Sequence, residues 1–103
     1  MSVSKISIYK QVLVGNFDDN ESAAKKYSSI MTERMTEYCE NEYPNAELDI
    51  NFELQNASGY SGCFSVRVEC DNDSDSESLI IEDIESEYRF LRAELERSGE
   101  IYE

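Results

Sequence analysis

The sequence predicts an α+β domain in the order β-α-β-β-α, a three-stranded antiparallel sheet with two helices on one face. Three observations predict it. Apolar residues recur at period two near residues 5–14, 46–54 and 64–70. They recur at helical spacing over 21–43 and 80–98, and clusters of turn-forming residues separate these stretches. The 103 residues suit a single domain, 1–103, with no internal repeat.

Residues 1–4 form a short leader. From Lys5 to Val14, Ile6, Ile8, Val12 and Val14 share one face, and Ser7, Tyr9, Gln11 and Leu13 share the other. This is a strand pattern rich in β-branched residues. Lys10 falls on the apolar face, which predicts a bulge or an edge position there. Gly15-Asn16 ends the strand. Asp18 and Glu21 stand at capping-box spacing and open a helix. Its inner stripe is Ala24, Tyr27, Ile30, Met31, Met35, Tyr38 and Cys39, and Pro44-Asn45 stops it. This Met and Tyr stripe reads as core rather than as a binding groove.

Ala46 to Leu54 is the cleanest strand. Ala46, Leu48, Ile50, Phe52 and Leu54 point one way; Glu47, Asp49, Asn51, Glu53 and Gln55 point the other. Beyond the turn-rich 56–62, Phe64, Val66, Val68 and Cys70 alternate with Ser65, Arg67 and Glu69. These last two strands are expected to pair as a hairpin with one buried and one wet face. A right-handed crossover makes the first two strands parallel. A third strand lying between them would then make every neighbour antiparallel.

Eight carboxylates and no positive charge fall between Asp71 and Glu87. The first half, with Asp71, Asp73, Asp75 and Glu77 among Asn and Ser, reads as a loop, because such residues favour turns and caps. The second half, with Glu82, Asp83, Glu85 and Glu87, reads as the start of a helix capped by Ser74 or Asp75, where carboxylates suit the partial positive charge of the first turns. Ile80, Ile81, Ile84, Tyr88, Leu91 and Leu95 form its inner face, and Ser98-Gly99 closes it. Ser74, Ser76 and Ser78 read as a solvated cap rather than as kinase targets.

Several function classes are disfavoured. There is no histidine, no phosphate-cradling glycine loop and no nucleophile elbow, so an enzyme is not expected. Cys39, Cys63 and Cys70 make no zinc pattern and read as buried, reduced thiols of a cytosolic protein. No basic-then-apolar leader opens the chain and no apolar run approaches the roughly 20 residues of a membrane span. Neither cofactor nor metal is expected. Asp71, Asp73, Asp75 and Glu82 do occupy positions 1, 3, 5 and 12 of a calcium loop, but Ser76 replaces the turn glycine. A calcium-binding domain is the weaker alternative.

What remains is the charge. A net −14 with pI near 4.2 repels nucleic acid and anionic membranes and attracts basic proteins. It exceeds the magnitude of about 2–8 that keeps a small domain soluble. The carboxylates fall into three stripes. The first is Glu47, Asp49 and Glu53, with about 6.8 Å between alternate residues. The second is Asp71, Asp73, Asp75 and Glu77, and the third is Glu82, Asp83, Glu85 and Glu87.

In size, charge and mixed build the chain resembles the small acidic phage-encoded inhibitors that include many anti-CRISPR proteins and DNA mimics. Whole-chain composition, the β-α-β-β-α order, the Asp71–Glu87 stretch and the Glu47/Asp49/Glu53 stripe carry the resemblance. It implies a non-catalytic inhibitor in the cytoplasm of a bacterial host cell. The expected partner is a basic nucleic-acid-binding protein whose groove the three stripes would fill, with a CRISPR-Cas effector complex among the candidates. The alternative is an acidic assembly module, a homodimer formed through a sheet edge.

Overall fold

The longest strand lies in the middle of the sheet. The computed structural model describes residues 2–57, 63–71, 74–99 and 101, with the backbone alone at Ser2, Asp71, Ser74 and Asp75. Its elements are β1 (Ser2–Leu13), a 3₁₀ turn (Val14–Phe17), α1 (Glu21–Glu42), β2 (Glu47–Gln55), β3 (Phe64–Asp71) and α2 (Ser74–Ser98). The sheet order is β2-β1-β3, with β1 parallel to β2 and antiparallel to β3.

The α+β class, the three strands and the two helices are as expected, but the sheet is mixed rather than antiparallel throughout. Strands β2 and β3 do not pair as a hairpin; β1 separates them. Two features account for this. The connection after Gln55 is too long for a tight hairpin turn and long enough to cross the roughly 10 Å of two strand spacings. Its ends are tied to β1, since Gly15 N–H donates to Ala57 C=O and Gln11 N–H donates to Cys63 C=O, each at 2.9 Å. The central place also suits the strand with the most apolar inner face: Ile6, Ile8 and Val12 are almost free of solvent.

Strand β1 starts at Ser2, so the expected leader is part of the sheet. A register shift between Val3 and Lys5 accommodates it, and the Ser4 hydroxyl there donates to Glu69 C=O at 3.0 Å. The bulge expected at Lys10 is therefore at Ser4. Lys10 stays in register between Phe52 and Phe64 on the central strand. The α1 cap also differs. Asp18 and Asp19 take left-handed backbone (φ 57° at each), and Asn20 caps instead, its side chain accepting from Ala23 N–H at 3.1 Å. Helix α2 begins at Ser74, so residues 74–78, expected as loop, are helical.

Both helices cover the face that carries Ile6, Ile8, Val12, Phe52 and Val68. Tyr88 of α2 stacks on Phe64 at 4.4 Å and lies 6.2 Å from Phe52. From α1, Ala23, Ala24, Tyr27, Met31, Met35 and Cys39 are buried; from α2, Ile80, Ile84, Tyr88, Leu91 and Leu95 are. Beyond Gly99, which ends α2 in left-handed backbone (φ 66°), Ile101 returns to the core.

Candidate functional site: an acidic surface on two faces

The sheet's second face is left open. Tyr9, Ser7 and Lys5 of β1 lie on it, with Glu47, Asp49 and Glu53 on one side and Arg67 and Glu69 on the other. Because side chains alternate along β2, its three carboxylates share this face and all are exposed. Register assigns their neighbours: Glu47 stands beside Lys5, Asp49 beside Ser7 and Glu53 beside Gln11. The Tyr9 hydroxyl reaches diagonally to donate to Glu53 Oε2 at 2.7 Å, and this bond holds the phenol pKa above its ordinary value. Glu69 belongs to the same face, because Lys5 pairs with it as well as with Glu47. Sequence reading placed Glu69 on the wet side of its strand without counting it among the binding carboxylates; the pairing of β3 with β1 sets it beside Lys5.

The third stripe lies on a helix, on the opposite side. Glu82 and Asp83 of α2 are exposed, and Glu85 and Glu87 are half-buried. Arg89 lies 4.0 Å from Glu85 one turn away. Burial, and then the neighbouring Tyr43 and Glu42, push the Tyr38 phenol of α1 up to about 12, and the charges of Asp83 and Glu87 on α2 add to this. Glu77 has a structural task, accepting from Cys70 N–H at 3.5 Å. Of the middle stripe, Asp73 lies outside the described residues, and the side chains of Asp71 and Asp75 lie outside them too. A calcium loop over Asp71–Glu82 is not formed, because the backbone is helical from Ser74 onward. Among the described residues, no group of three or more His, Cys, Asp or Glu converges to hold a metal ion.

The three stripes therefore do not form one surface. Carboxylates occupy the open sheet face and the helix side of a body 45 × 23 × 18 Å in extent. Sequence reading also missed the apolar part of this surface. Leu79 and Phe90, at 64% and 55% exposure, project from α2. Both sit off the buried stripe by helical phase, so the helical wheel could have revealed them.

Both sheet edges are guarded by helix side chains. The Gln11–Cys63 bond shows that odd-numbered residues of β1 turn their backbone groups toward β3 and even-numbered ones toward β2. Even-numbered residues of β2 and β3 therefore face outward. At the β2 edge the Ser28 hydroxyl of α1 donates to Phe52 C=O. At the β3 edge Cys70 N–H is taken by Glu77 of α2. Among the described residues no helix is long and apolar enough to cross a membrane. No protein-family model, curated protein or solved structure matches the chain.

Proposed function

We propose that this protein is a non-catalytic inhibitor that occupies the basic nucleic-acid-binding groove of a host protein complex, like the anti-CRISPR and DNA-mimic proteins it resembles. The observation that carries the reading is the distribution of exposed carboxylates over both faces of an elongated body. A net −14 along 45 Å is one negative charge for about every 3 Å, roughly half the linear density of duplex DNA, about one per 1.7 Å. A groove built to surround a duplex meets charge on more than one side of its ligand, and so would a groove that takes this protein. Its lysines and arginines would displace cations held around these carboxylates, as they displace the cations condensed on DNA.

Two features support a binding role over a catalytic one. Among the described residues no charged residue is buried, and the one whose pKa burial lowers, Lys10, is only partly covered on the helix side of the sheet. The depression on the open face, about 370 Å³ and lined in part by Ser7, Tyr9, Asp49, Asn51 and Arg67, opens to solvent and is mixed polar and apolar in lining. Pairing through a sheet edge is the less favoured reading, because Ser28 and Glu77 already occupy backbone groups there. In a bacterial cytoplasm the partner would be a DNA-binding or RNA-guided complex.

The test is capture from nuclease-treated bacterial lysate on immobilised protein, with a salt gradient for elution. One DNA-binding or RNA-guided complex is expected to elute with rising salt and to be lost with Glu82→Lys/Asp83→Lys/Glu85→Lys. Recovery of nothing, or of the protein itself alone, overturns the reading.

A further inference from the structure

Leu79 and Phe90 are the two exposed large hydrophobic residues among those described, and both are on α2. Eleven residues apart, they are three turns apart in almost the same direction, about 16 Å along the helix. Glu82, Asp83 and Ser86 stand exposed between them. The full outer stripe, Leu79, Asp83, Ser86, Phe90, Ala93 and Arg97, repeats at four-three spacing, which is that of a helix-pairing seam.

A second copy of the chain does not fit this seam. Parallel pairing in register would set Asp83 against Asp83 and Arg97 against Arg97. The antiparallel register that seats Phe90 against the small Ser86 would bring the two Glu87 side chains together, and likewise the two Arg89 side chains. Either way like charges meet at the contact, on a protein already carrying −14. A basic partner has neither conflict. Its lysine and arginine stems are apolar and its heads are cationic, so one side chain could lie on the Phe90 ring and reach the carboxylates beside it.

We propose that this outer stripe of α2 is the docking face for the basic partner. Leu79 and Phe90 act as apolar anchors on either side of a carboxylate pair, Glu82 and Asp83, that receives a cation of the partner. This rests on the function proposed above and adds a component that duplex DNA lacks, an apolar contact insensitive to salt.

The test uses three full-length baits on one nuclease-treated lysate: the natural chain, Leu79→Ser/Phe90→Ser, and Glu82→Lys/Asp83→Lys. Both altered positions in each variant are exposed, and circular dichroism checks that each variant folds. The protein captured by the natural chain is then identified, purified and titrated with all three. The serine variant is expected to bind about 10- to 100-fold more weakly with the same slope of log Kd against log salt. The lysine variant is expected to lose both affinity and slope. If the serine variant binds like the natural chain while the lysine variant fails, the anchors are refuted and the acidic reading stands. If all three baits bind alike, or none captures anything, both fall.

Discussion

Tyr27 and Tyr88 meet hydroxyl to hydroxyl at 3.0 Å between the two helices, and Phe17 lies 5.3 Å from Tyr27. Burial, and then the neighbouring Tyr88, raise the Tyr27 pKa; burial does the same for Tyr38 and Tyr43. Each phenol therefore holds its proton more strongly in the fold than in the unfolded chain. Their contribution to stability is full below about pH 10, the ordinary phenol value, and is lost as pH rises through the raised values. Urea unfolding is expected to show level stability from pH 8 to about 10 and a steep loss above it. Tyr27→Phe should cost about 1 kcal/mol at pH 7 through the lost bond and make the alkaline loss shallower. An unchanged alkaline profile in that variant would show that this tyrosine does not set it. Burial also pushes the Cys39 thiol up to about 11, which keeps it an unreactive core residue.

At the scale of the elements, each helix both covers the sheet and closes an edge. Sheet edges are templates for unwanted pairing, and natural proteins block them with charge or with a covering element. Here α1 supplies Ser28 at the edge of β2, and α2 supplies Glu77 at the edge of β3. On β2 the alternate carboxylates Glu47, Asp49 and Glu53 add repulsion between copies. The double variant Ser28→Ala/Glu77→Ala is expected to lose little stability, about 1 kcal/mol for each partly exposed bond. It should nevertheless scatter more light on concentration, as freed edges pair. Equal scattering from variant and natural chain at matched concentration would show that the side chains do not guard the edges.

At the scale of the whole molecule, charge opposes compaction. Favourable pairs exist, Lys25–Glu21 at 3.3 Å, Arg89–Glu85 at 4.0 Å and Arg92–Glu96 at 3.6 Å, but all are exposed and such pairs contribute little. With 23 carboxylates against nine basic residues, repulsion outweighs them. Added salt is therefore expected to raise Tm at pH 7, since about 0.15 M already screens charges beyond about 8 Å. A rise of 4–8 °C would correspond to about 1 kcal/mol for a domain of this size. A Tm that falls between 0.02 and 0.5 M sodium chloride would instead make the pairs dominant. Solubility should be lowest near pH 4.2, where the repulsion vanishes.

The α+β class and both helical core stripes were legible in the sequence, because period two and period 3.6 are local properties of the chain. Burial of Met31, Met35, Ile84 and Leu95 followed from spacing alone. Pairing was not legible. Whether β3 pairs with β2 or crosses to β1 depends on contacts between distant segments, and alternation in β3 is the same either way. That choice brought Glu69 beside Lys5 and placed Lys10 on a central strand. Ser74 was legible as a cap of α2, but the helical state of residues 75–78 was not, because Asp and Ser favour caps and turns when read locally. In the fold, packing of Ile80 and Ile84 carries the helix back through them. The sequence by itself determined how much negative charge the protein carries and which element bears each carboxylate. Only the tertiary structure decided which strands are neighbours, and so which charges stand side by side across the open face, because strand order is a long-range choice that no local period encodes.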